Sequence, residues 1–372
     1  MERARILVVG AGLAGLALAR TLRQAGFAPE LIERADRWDI AGTGMYLPAN
    51  GVRALRALGL QDAVAARASD IPRQRVLDHR GRVLVDADMH QFWGGIGPCL
   101  ALPRSELHQL LREGVPVRMG RTVRSLERPD GPVGVTFDDG SGAEFDLVVG
   151  ADGLRSTIRR LAVDQRPPIP VGQQSWRFLT ARPAEVTTWT VLLGRGTSFL
   201  SIPVGPGLVY CYADVTTGRA GGAAPNGDPV GQLRRRFAGF AAPVPGLLEQ
   251  LEDPAKVHVA PIEQVAEERW GRGAVLLAGD AAHGMSPNMA QGGSLAFEDA
   301  LVLAACLRDG GTVSDAVAAF VARRSPRTAW VRTQTHRRDR TRNLPPFLRD
   351  LVLRSFGQRI FRSNYRPLLD PV

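Results

Sequence analysis

The sequence predicts an α/β protein, with a discontinuous parallel-sheet domain, an antiparallel β-sheet domain inserted into it and a C-terminal helical segment. Three observations predict it. Apolar runs lead into glycine- or aspartate-bearing loops and then helices at Ile6-Leu7-Val8-Val9-Gly10, Leu147-Val148-Val149-Gly150 and Val275-Leu276-Leu277-Ala278-Gly279. These runs are continuous rather than alternating, which implies strands covered on both faces, as in a parallel sheet. Between the second and third, from Thr188 to Val215, short runs such as Val209-Tyr210-Cys211-Tyr212 are separated by Gly194-Arg195-Gly196 and Gly205-Pro206-Gly207, the punctuation of antiparallel hairpins.

Taken in order, Arg5 to Val9, Gly10 to Gly15, Leu16 to Ala25 and Glu30 to Glu33 read as strand, turn, helix and strand, a βαβ unit. Gln74 to Val85, with Arg80-Gly81 at its turn, reads as a hairpin of the second sheet. Gly218 to Asp228, rich in Gly and Ala, reads as a flexible loop.

Composition narrows the function classes. At 372 residues, 44 % hydrophobic and 23 % charged, the chain has material for two domains and is not disordered or fibrous. No apolar run approaches the roughly 20 residues of a membrane span. The amino end passes from Met1-Glu2-Arg3-Ala4-Arg5 straight into a strand, without the pattern of a signal peptide, so a cytoplasmic location is expected. Three scattered cysteines, Cys99, Cys211 and Cys306, read as core residues, and the six histidines have no metal-site spacing. The net charge of +10 is local: 13 arginines face two acids between Arg323 and Arg366. A solvated or self-docking tail is expected from it, with no nucleic-acid partner.

In Gly10-x-Gly12-x-x-Gly15 the first glycine permits a tight turn, the second lets backbone amides approach a pyrophosphate, and the third allows close helix–strand packing. The phosphates then sit at the positive end of the helix dipole. Glu33 ends the next strand 18 residues after Gly15, where a carboxylate accepts from both ribose hydroxyls; Arg34 adds a phosphate or adenine contact. The third loop, Gly279-Asp280-Ala281-Ala282-His283 through Pro287 and Gln291-Gly292-Gly293 to Glu298-Asp299, ends a strand on an acid and restarts as an apolar helix. A second polyol-binding acid is superfluous for NAD but suits FAD, whose ribityl hydroxyls Asp280 can bind. Amides near Gly292 would face the flavin pyrimidine, where reduction deposits negative charge.

These residues resemble the single-component FAD-dependent aromatic hydroxylases, the p-hydroxybenzoate and salicylate hydroxylase group or class A flavoprotein monooxygenases. Three ordered motifs carry the resemblance over nearly the whole chain: the Gly10 loop with Glu33, Gly150-Ala151-Asp152-Gly153-x-x-Ser156-x-x-Arg159, and Gly279-Asp280 through Asp299. The resemblance implies a Rossmann-like FAD-binding domain from 1–70, 100–170 and 262–335, a substrate-binding sheet domain from 71–99 and 171–261, and a basic helical tail from 336–372. It implies that FAD is held by Gly10, Gly12, Ala14, Gly15, Glu33, Arg34, Arg104, the backbone near Val123, Asp152, Asp280, Pro287, Gly292 and Gly293. It further implies NADH or NADPH as electron donor, O2 as co-substrate, and hydroxylation of an aromatic or aromatic-like small molecule through a flavin C4a-hydroperoxide. The protein would work as a monomer or homodimer.

In one respect the sequence departs from the family. Ala290 stands where the family usually has the first glycine of Gly-Gln-Gly, and a positive φ there would cost alanine about 1 kcal/mol. Tyr210 and Pro287 are the candidate catalytic residues. Met45, Tyr46, Tyr210 and Tyr212 are the candidate substrate contacts, with sheet or loop packing the competing role for each. Asn50 reads as a helix N-cap, His283 as a structural hydrogen-bonding group, and Glu298 and Asp299 as complements to a helix dipole. A flavin reductase or dehydrogenase remains an alternative. A flavin halogenase fits less well, because the chain has no Trp-x-Trp-x-Ile-Pro segment and only one lysine, Lys256.

Overall fold

A computed structural model describes residues 4–39, 43–128, 131–218 and 227–372. Most of the Gly/Ala-rich stretch expected to be a flexible loop, the first three residues and Gly42 lie outside the described residues.

The expected parallel sheet is present. Its order is Gly271–Arg272, Val275–Leu277, Leu147–Gly150, Ile6–Val9 and Glu30–Ile32, with the last four parallel and the two-residue edge strand antiparallel. Ile6–Val9, Leu147–Gly150 and Val275–Leu277 are buried throughout, which is why their runs do not alternate. Register places Val9 beside Gly150 and Gly150 beside Leu277. All three loops therefore leave the sheet at one edge, the carboxyl end where open α/β sheets bind ligands.

The second sheet has seven strands in the order His258–Gln264, Ile169–Ala181, Leu208–Thr216, Thr197–Pro203, Trp189–Leu193, Arg73–Asp78 and Val83–Asp88. The antiparallel expectation holds except at one junction, where Trp189–Leu193 runs parallel to Arg73–Asp78. Those two strands come from separate stretches of chain, so no hairpin constrains their relative direction. Period-two geometry divides the sheet's faces. Trp176, Phe178, Phe199, Cys211 and Ala213 enter a core with Leu233, Phe237 and Leu247 from helices Pro229–Phe237 and Val244–Glu249. The other face carries Arg177, Leu179, Leu200, Ile202, Tyr210 and Tyr212.

The arginine-rich end docks on that second face instead of dissolving into solvent. Helix Val313–Thr341 runs unbroken through residue 336, and helix Pro346–Tyr365 follows it. Arg342 pairs with Asp214, Arg349 donates to the carbonyls of Leu193 and Gly194, and a Cβ on Gly357 would stand 2.3 Å from Val85. Arg324 is wholly buried, so part of the tail's charge is interior structure. Strand His258–Gln264 likewise runs through position 262. All three cysteines are buried and unpaired. Among the described residues no helix is long and apolar enough to cross a membrane.

Candidate active site

The three glycines of the first loop have separate physical duties. Gly10 has φ +99°, and a Cβ there would stand 2.7 Å from the Ala151 carbonyl oxygen and the Asp152 Cα; one on Gly15 would stand 1.8 Å from the Gly10 carbonyl oxygen. A Cβ on Gly12 would meet nothing within 4 Å, so the space before the helix Leu13–Gln24 is open. Glu33 stands at that opening with one carboxylate oxygen accepting from the Ala11 amide at 2.8 Å and the other from the Ala35 amide at 3.0 Å. Arg34 is exposed beside it. His108, overlooked in the sequence, lies 3.0 Å from the Ala11 carbonyl oxygen through Nε2 and backs the loop from behind.

The second loop is tied to its own helix. Asp152 accepts from the Ser156 hydroxyl on one oxygen and from the amides of Thr157 and Ile158 on the other, so its carboxylate caps helix Thr157–Ala162. Burial pushes its pKa up, against those hydrogen bonds. Arg159, buried on that helix, donates to the Ala281 carbonyl at 3.0 Å and so fastens the second loop to the third.

The third loop meets the first across some 265 positions of sequence. Gly279 has φ +59°, and a Cβ on it would stand 2.8 Å from the Ala14 methyl. Asp280 is exposed, with its carboxylate 3.8 Å from where a Gly292 Cβ would be. Gly292 and Gly293 open helix Gly292–Arg308, and the Met45 methyl occupies the place of a Gly293 side chain. Pro287 is exposed at the start of a single 3₁₀ turn whose neighbours Ser286 and Asn288 both donate to Asp339. Ala290 has φ +49° and ψ +35°, the left-handed conformation that makes a non-glycine residue costly.

Glu298 and Asp299, expected as dipole partners, are instead buried at the centre of an ionic cage. Asp299 accepts from the Gly279 amide at 2.9 Å and from Arg324 Nε at 2.7 Å, and lies 2.8 Å from His283 Nε2. Glu298 accepts from Arg324, Arg327 and Asn50. Asn50 is not the N-cap: helix Ala49–Ala57 begins earlier, and the buried Asn50 amide also donates to Gln291. Arg324, 25 residues after Asp299, supplies the counter-charge that lets both acids sit inside. Burial works against the Asp299 carboxylate, yet His283 and Arg324 hold its pKa down to about 2. His283 is likewise opposed by burial and raised by Asp299.

On the substrate side, Met45 and Tyr46 fall on opposite faces of strand Gly44–Leu47. Met45 reaches Gly293, whereas the Tyr46 hydroxyl accepts from Gln74 inside an apolar cluster with Cys99, Met289 and Tyr365. Tyr210 packs against Gly44, whose Cβ would stand 2.3 Å from that of the tyrosine. Burial pushes the Tyr210 hydroxyl up to about 12 and raises that of Tyr212 well above the ordinary value. Both are donors at neutral pH. Arg104 is exposed at the start of helix Arg104–Arg112, its amide donating to the Thr43 carbonyl. Val123 is buried at the start of strand Val123–Glu127.

The geometry suits FAD: open space at a helix head beside Gly12, an acid at the end of the next strand, and a second acid beside the glycines of a distant helix. Comparison with known proteins decides the family, because the model of an FAD binding domain matches residues 3–207 and 240–334. The chain belongs to the class A FAD-dependent aromatic hydroxylases. This enzyme is an FAD-dependent monooxygenase. It is 34 % identical over 334 residues to the aurachin C monooxygenase/isomerase of Stigmatella aurantiaca, covering 87 % of this chain and 85 % of that protein. It is 34 % identical over 357 residues to the 3-amino-4-hydroxybenzoate 2-monooxygenase of Streptomyces cremeus, covering 90 % and 86 %. The Klebsiella pneumoniae HpxO structure complexed with FAD and uric acid superposes with a TM-score of 0.90 at 26 % identity, covering 99 % of this chain and 97 % of that one.

Proposed function

We propose that this monooxygenase hydroxylates an aromatic or aromatic-like small molecule, with NADH or NADPH as electron donor and O2 as co-substrate. The observation that carries the reading is the meeting of Gly279 with Ala14, which joins the open Gly12 loop to the Asp280–Gly293 loop in one crevice. Gly10, Ala14 and Gly15 shape the loop whose open Gly12 side holds the pyrophosphate in this reading, with Glu33 and Arg34 at the adenosine, the backbone near Val123 at the adenine, and Arg104 and Asp280 at the middle of the cofactor. Asp152 contributes by fixing its loop. Gly292 and Gly293 offer amides to the pyrimidine edge, and Pro287 borders the ring. The parts from 1–70, 100–170 and 262–335 form the cofactor domain in this reading, 71–99 and 171–261 the substrate domain, and 336–372 a brace across it.

Bound FAD, reduced by the nicotinamide, supplies the activation of O2 that no side chain here can provide. The protein's own work is placement. Tyr210 and Tyr212 stay protonated and donate hydrogen bonds to a ligand oxygen, Met45 lines the approach, and the apolar side chains Leu179, Leu200 and Ile202 exclude water from the reacting ring. The aminohydroxybenzoate of one relative and the uric acid bound in the HpxO structure support a flat oxygen-bearing ring. In the test, phenols, hydroxybenzoates, purines and polyketides are scored for acceleration of flavin reduction by NADH and by NADPH. At least one class is expected to accelerate it. A chain that stays colourless after reconstitution with FAD contradicts the reading.

A further inference from the structure

We propose that Arg177 and Tyr212 form an anchoring site for an aromatic ligand bearing an anionic oxygen, a ring carboxylate or an enolate. The inference deepens the hydroxylase reading by naming the substrate class of that same pocket. Arg177 lies on the strand next to the edge of the seven-stranded sheet, paired with Tyr212 on one side and with His258 of the edge strand on the other. It shares a face with Tyr210 and Leu179. Its guanidinium carbon stands 5.6 Å from the Tyr212 ring centroid.

What sets Arg177 apart among the described residues is that its side chain has neither a carboxylate nor a carbonyl to donate to. Arg159 pairs with Asp164, Arg324 with Glu298 and Asp299, Arg342 with Asp214 and Arg349 with Asp350, while the half-buried Arg53, Arg332 and Arg338 donate to backbone carbonyls. Among the described residues no carboxylate pairs with Arg177, and its Nε is buried without a hydrogen-bond partner. Asp214, two residues beyond Tyr212 on the same face, is engaged by Arg342 and Ser198. The Tyr212 hydroxyl is also buried without a partner, in a side chain only 7 % exposed. Two adjacent donor atoms, Nε of the half-buried Arg177 and the Tyr212 hydroxyl, both buried with nothing to receive them, are a state that proteins avoid unless a ligand completes it. An anionic oxygen accepts from both, while Leu179 and Leu200 on the neighbouring positions receive the ring. Neither Arg104 nor Arg342, the other cations near these tyrosines, repels such a ligand.

The test uses the full chain loaded with FAD, without NAD(P)H, titrated by the change in flavin absorbance. The probes are matched acids and amides: benzoate and benzamide, salicylate and salicylamide, quinoline-2-carboxylate and quinoline-2-carboxamide. In at least one pair the acid is expected to bind about tenfold or more tightly than its neutral amide, the size of a charge-assisted hydrogen bond. Arg177→Met should abolish that preference by weakening the acid far more than the amide, with FAD content unchanged, Arg177→Lys should keep part of it, and Tyr212→Phe should weaken the acid less than Arg177→Met does. No preference in the native chain, or one that survives Arg177→Met, overturns the proposal. Because nothing turns over, the result is independent of the hydroxylase reading: acid binding without substrate-stimulated NAD(P)H oxidation would defeat that reading and leave this site standing.

Discussion

The two sheets meet their ligands in opposite ways. At the parallel sheet, backbone does the work: glycines with positive φ, amides at helix heads and one open Cβ position shape the crevice. At the seven-stranded sheet, side chains do it, projecting from alternate positions of strands whose registers decide which neighbours touch. A backbone site constrains residue type tightly and tolerates little change. A side-chain wall constrains only polarity and period, so it can be retuned to a new substrate while the fold stays intact.

The comparison breaks first, and hardest, at the ionic cage that holds the backbone site together. Arg324→Met leaves Glu298 and Asp299 with buried charge and no partner, and is expected to cost about 3–5 kcal/mol. Chemical denaturation measures it; a variant as stable as the native chain would show that the cage is dispensable. Next comes the open glycine. Gly12→Ala should leave the apo fold stable, since a Cβ there meets nothing of the protein within 4 Å, yet weaken FAD about tenfold to a hundredfold. Gly15→Val should instead fail to fold. Equal behaviour of the two would erase the distinction between cradle and packing glycines.

Acid sharpens the same contrast. Asp299 has a depressed pKa, so its contribution is complete above the ordinary carboxylate value of about 4 and is lost as pH falls toward about 2. His283 has a raised pKa, so its contribution is complete below about 6.5 and is lost as pH rises through its folded value. Stability measured against pH should therefore decline on both sides, and Asp299→Asn should flatten both limbs. The smallest effect is at the left-handed position: Ala290→Gly should stabilise the chain by about 1 kcal/mol, read as a rise in the denaturation midpoint.

Legibility followed the same division. The Gly10 loop could be read because positive φ and near-contact admit glycine alone, and the cost at Ala290 could be anticipated for that reason. Nothing local marks Glu298 and Asp299 as interior, because their partner Arg324 lies on another helix, within a stretch that by sequence is a basic tail. The same holds for Asn50, whose partner Gln291 is 241 residues away. Tyr210 and Tyr212 could be placed on one face by period two, but Arg177 became visible only when register set it against Tyr212.

In the proposed function this crevice transfers one atom of O2 to an aromatic ring. Turnover of the accelerating compound under ¹⁸O-labelled oxygen, followed by mass spectrometry of the product, tests it most directly. The expected product carries one ¹⁸O atom from O2. A product labelled only from water, or NAD(P)H consumed with hydrogen peroxide as the sole oxygen product, would contradict it.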